Sequence, residues 1–76
     1  MPFEIHEDDA PGRIPCQVIA KTGARTWRVV VGVGEGHLDG GVHHDVDEGA
    51  LPSTLRAPNA QFFVSIVGAG AQPTGA

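Results

Sequence analysis

The sequence has one cysteine, one tryptophan, no tyrosine and only five lysines and arginines, and each scarcity excludes something. A lone Cys16 can form no intrachain disulfide and fits no zinc-finger spacing, so no disulfide framework or finger-type zinc site holds this chain together. No stretch approaches the roughly eighteen apolar residues that a membrane span needs. The opening run Met1-Pro2-Phe3-Glu4-Ile5-His6-Glu7-Asp8-Asp9 is acidic and lacks the basic-then-apolar order of a signal peptide. The expectation is therefore a cytoplasmic protein, or a particle component assembled there, with no membrane partner. Charged residues make up 18 % of the chain, below the roughly 25 % of an average globular domain.

What the chain does have is glycine and proline, eleven and six in 76 residues. That frequency of turn formers suits short strands better than helices. A chain of this length makes one domain and buries only about 60 % of the surface its unfolded form exposes. The reading is a single β domain over residues 1–67, followed by a Gly/Ala-rich tail over residues 68–76.

Period-two alternation marks the strands. Phe3 and Ile5 alternate with Glu4 and His6, and Ala10-Pro11-Gly12 breaks that run. Ile14–Lys21 reads as extended, with Cys16, Val18 and Ala20 on one face and Gln17, Ile19 and Lys21 on the other. Lys21-Thr22-Gly23-Ala24-Arg25 is a hairpin turn. The following segment, Thr26–Val33, is rich in β-branched residues and puts Trp27, Val29, Val31 and Val33 on a core face. Gly34–Gly41 is a long connection whose glycines serve turns. Val42–Val46 resumes a short strand, residues 51–56 make one helical turn, and Gln61–Val67 is an apolar last strand. The fold class that follows is all-β: a small antiparallel, five-stranded, partly open barrel or rolled sheet. Its element order resembles the SH3-like architecture, without any residue motif of that family; a small sandwich is the alternative.

Four chemical readings compete. His37, Asp39, His43, His44, Asp45, Asp47 and Glu48 crowd twelve residues, and imidazole and carboxylate are ordinary ligands for a divalent metal. His37, His43, His44 and Asp45 form the candidate set for a metal-binding module or small metal-dependent hydrolase. Successive strand residues point to opposite faces, however, which separates His43 from His44. Gly32-Val33-Gly34-Glu35-Gly36 follows a valine strand, but no helix opens after it to supply anion-binding donors. Cys16 sits on an apolar face, where a thiol is inert packing. The Lys21–Arg28 hairpin concentrates cations around Trp27 and could follow phosphates of nucleic acid, although the chain carries a net charge of −4.

A fifth reading accounts for more residues. The strands carry more apolar side chains than one face requires, and a small domain has little with which to cover a second face. The chain is therefore expected to be a non-enzymatic β domain, without a cofactor, that works by protein–protein contact. It would be a subunit of an oligomer or larger assembly, as an accessory or decoration subunit, or a small inhibitor or adaptor. The contact residues expected are Phe63, Val67 and Val30, with Arg25 and Arg28 as charged anchors.

Overall fold

The computed structural model describes residues 3–34 and 36–66; Val67 and the Gly/Ala-rich tail lie outside them. Five antiparallel strands form one sheet that curls into a half-barrel. They are β1 (Phe3–His6), β2 (Ile14–Lys21), β3 (Thr26–Val31), β4 (Val42–Asp47) and β5 (Gln61–Ile66). Two 3₁₀ turns, Glu48–Ala50 and Ser53–Leu55, connect β4 to β5. The spatial order is β1-β5-β2-β3-β4, so among the described residues β1 and β4 are the two free edges.

The alternation read from the sequence selects the concave face. Cys16 pairs with Phe62 on one side and Val31 on the other, and Val18 pairs with Val29. Cys16, Val18, Val29 and Phe62, with Trp27, Val64, Leu51 and Leu55, form the buried core, and Val31 packs partly buried against it. Leu51 and Leu55 arrive from the 3₁₀ segment, because two strand layers are lacking and something else must cover the curl. Asp47 starts that segment: its carboxylate accepts a hydrogen bond from the Gly49 N–H at 2.8 Å, the usual role of an acid at a helix start.

Three details depart from simple alternation. A bulge between Val18 and Ala20 shifts the register, pairing Ala20 with Arg28 and Lys21 with Trp27. Lys21 thereby joins the Trp27 face rather than the Gln17 face, as an inserted residue requires. The Val18 carbonyl and N–H at this point bond to the backbones of Asn59 and Ala60. Second, β3 ends at Val31, and Val33 lies exposed in the loop instead of completing the core. Third, Val30 on the convex face is buried, only 7 % exposed.

The glycine-rich loop explains the last two. After the Gly32 N–H extends the β2–β3 ladder to the Pro15 carbonyl at 2.8 Å, the loop folds back over the convex face, where the Gly41 N–H donates to the Leu38 carbonyl at 3.1 Å. A Cβ on Gly32 would collide with the His37 and Pro15 carbonyls, and one on Gly41 with the Val31 carbonyl and the Val30 side chain. These two glycines permit close backbone approach rather than turning the chain. Gly36 and Gly40, at positive φ, serve the turns.

Candidate functional site: the open cleft and its two edges

A half-barrel with two free edges leaves part of its concave face uncovered. Here that part is an apolar cleft of about 360 Å³, with Val29, Val31, Leu51, Phe62 and Val64 among its lining residues. Phe3 and Ile5 border it on β1 and His44 and Val46 on β4. Phe3 is 48 % exposed, Ile5 37 %, Val42 57 % and Ile66 53 %. Phe3 pairs with Ile66 and Val31 with Val42 across the sheet, so four large apolar side chains stand around one part of the face. An apolar concavity with few polar groups is built to receive apolar atoms.

The electrostatics are concentrated elsewhere. Lys21 Nζ and Trp27 Nε1 both donate to Glu48 Oε2 at 2.9 Å, while the Lys21 ammonium lies 5.3 Å from the centre of the Trp27 ring. The hydrogen bond from Lys21, then that from Trp27, hold the Glu48 carboxyl down to about 2. This group ties the first 3₁₀ turn to the β2–β3 hairpin. It also satisfies the one polar atom of a buried indole. Arg56 Nε caps the Leu51 carbonyl at 2.9 Å.

The cations of the basic hairpin are therefore already matched. Lys21 is paired with Glu48, Arg25 with Asp47 at 3.4 Å, and Arg28 with Asp45 at 3.2 Å. The acidic β4 segment lies beside the basic β3 segment, and the charge blocks of the sequence answer one another across the sheet. Trp27 is buried and presents no open ring for a base to stack on.

The expected metal set is spread out. His37 forms an isolated bridge with Gly34 in the loop. His43 and His44 are neighbours on β4, opposite Val30 and Val29, and Asp45 is held by Arg28. Among the described residues no three His, Cys, Asp or Glu side chains gather as ligands. Cys16 is buried, and that burial pushes its thiol up to about 11, which removes it as a nucleophile at neutral pH.

Of the expected contact residues, Arg25 and Arg28 are exposed, although both are paired. Phe63 is half-buried and borders a shallow convex recess with Pro15 and Leu38. Val30 is a correction: the returning glycine loop covers it, so it offers no contact surface. Val67 lies outside the described residues. The exposed apolar group comprises Phe3, Ile5, Val42 and Ile66 instead. Their alternation was visible in the sequence, but the strand order that puts β1 and β4 at the edges was not.

Comparison with known protein families, curated proteins and solved structures finds no match for this chain. No helix among the described residues is long and apolar enough to cross a membrane. The class that fold and site define is a small all-β half-barrel with an open apolar cleft.

Proposed function

We propose that this protein is a non-enzymatic contact domain, a subunit of an oligomer or larger assembly that works through its open cleft and free strand edges. The carrying observation is the set Phe3, Ile5, Val42 and Ile66, each more than a third exposed on the concave side. Leaving such a group in water forgoes roughly 25 cal/mol for each Å² that a partner would bury. The rest of the molecule supports the same reading. Its buried side-chain polar atoms are satisfied among the described residues, its hairpin cations are neutralised within the fold, and its thiol is held protonated.

A photo-crosslinking amino acid at Ile5 tests this in the protein's native cells. One defined adduct to a polypeptide, lost when Phe3→Asp places a charge beside the cleft, is the expected result. Uncrosslinked protein, or a smear unaffected by Phe3→Asp, would reject a contact role for the cleft.

A further inference from the structure

The two free edges differ in what they present to another strand. β1 has four residues and runs directly into Glu7, Asp8 and Asp9; shortness and like charge are ordinary guards against edge pairing. β4 has six residues without proline, lysine or bulge, and its acids Asp45 and Asp47 are each paired with an arginine of the neighbouring hairpin.

The hydrogen-bond phase of β4 follows from the bonds at its ends. The Glu48 N–H donates to the Arg25 carbonyl at 2.7 Å, in the same register that pairs Asp47 with Thr26. Bonded and non-bonded pairs alternate along an antiparallel ladder. Val46, His44 and Val42 therefore turn their backbone groups toward β3, and His43, Asp45 and Asp47 turn theirs outward. The Gly32-to-Pro15 bond on the other side of β3 gives the same phase. The outward N–H and C=O groups of His43 and Asp45 stand at an open edge.

The order Val42-His43-His44-Asp45-Val46 is antisymmetric about His44. In an antiparallel pair of two such strands centred on His44, His43 of each copy faces Asp45 of the other on the convex side. Val42 of each faces Val46 of the other on the cleft side. The two His43–Asp45 pairs are also the ones whose backbone groups point outward, so both form full two-bond exchanges. Hydrogen-bonding and β-branched cross-strand pairs are the stabilising kinds. The equivalent pairing of β1, centred on Ile5, would set Phe3 opposite Glu7 on the cleft side.

We infer that β4 is a self-pairing edge, through which two copies of this chain join their half-barrels into one continuous ten-stranded sheet about a two-fold axis. This rests on the contact role proposed above and names the partner of one of its edges. Such an isologous contact closes on itself and adds no further copies. It covers part of Val42, the most exposed of the set Phe3, Ile5, Val42 and Ile66. A single strand pair falls short of the roughly 800 Å² per partner of a standard interface, so the dimer dissociates in about the micromolar to millimolar range.

Sedimentation equilibrium over rising concentration, combined with amide hydrogen exchange, tests the pairing. The wild-type chain is expected to pass from its 7.9 kDa monomer mass toward twice that value. The His43 and Asp45 amides should slow as the dimer forms, whereas the His44 amide, bonded to β3, stays slow throughout. His43→Pro removes an outward N–H that β3 does not use, and His43→Asp sets like charges opposite each other. Each is expected to weaken the dimer at least tenfold, whereas His43→Lys keeps it. A wild-type chain that stays at the monomer mass to millimolar concentration would overturn the inference. So would a dimer in which the His43 and Asp45 amides exchange at a concentration-independent rate. Either of these with the Ile5 crosslink intact rejects β4 pairing alone; loss of the crosslink in a protein that still dimerises through β4 rejects the cleft alone.

Discussion

Trp27, Val29 and Phe62 occupy one part of the concave face and are almost wholly buried with Leu51 and Leu55; Phe3, Val42 and Ile66, on the same face, stay about half exposed. Both groups come from strands with the same alternation and comparable side chains. The difference is what the chain has left over to cover them. The β4–β5 connection carries two leucines into the first group, and Lys21, Trp27 and Glu48 fasten that connection with charge-assisted bonds. No comparable connection reaches the second group among the described residues. Among the described residues there is one such segment, and its placement separates the apolar residues that are covered from those that stay exposed.

The covered half should carry the stability. Phe62→Ala opens a cavity beside Cys16 and Val64, and is expected to cost about 3–5 kcal/mol. Total stabilities are about 5–15 kcal/mol, so this change should leave the domain barely folded in thermal unfolding. A loss under about 1 kcal/mol would mean that the covered half is no better packed than the open one.

A smaller effect comes from Glu48. Its carboxyl is held below its ordinary 4.5 in the folded chain, by Lys21 first and Trp27 second. A depressed carboxylate contributes stability that is fully present above its unfolded value and lost as pH falls through its folded value. The wild type should therefore lose stability between about pH 4.5 and about pH 2. Glu48→Gln should be less stable than wild type at pH 7 and should lose less across that window, read by urea unfolding at several pH values. Parallel curves for the two proteins would show that the fastener is only a surface pair.

The sequence made the strands legible because period-two alternation and glycine punctuation are local signals. Four of the five expected strands fall within two residues of their limits at each end, and β1 matches the Phe3–His6 run. The basic stretch between two acidic ones was legible too, and internal charge matching is the reading the ion pairs fit. Which acids Arg25 and Arg28 meet was not legible, because Asp47 and Asp45 reach them only through the pairing of β4 with β3. Val30 looked exposed because alternation carries no information about a loop returning over the opposite face. Gly32 and Gly41 read as turn residues, since nothing local distinguishes a glycine at a turn from one at a backbone crossing. The cleft itself depends on strand order, a long-range property: Phe3 and Val42 border the same face although 38 residues separate them along the chain.

The most direct test of the division between a folding half and a contact half is one pair of urea unfolding curves. Leu55→Ala in the covered half should cost about 2–5 kcal/mol, while Ile66→Ser in the open half should cost less than about 1 kcal/mol, both with the wild-type slope. If Ile66→Ser destabilises the isolated domain as much as Leu55→Ala does, the open residues hold the fold together and are not reserved for a partner.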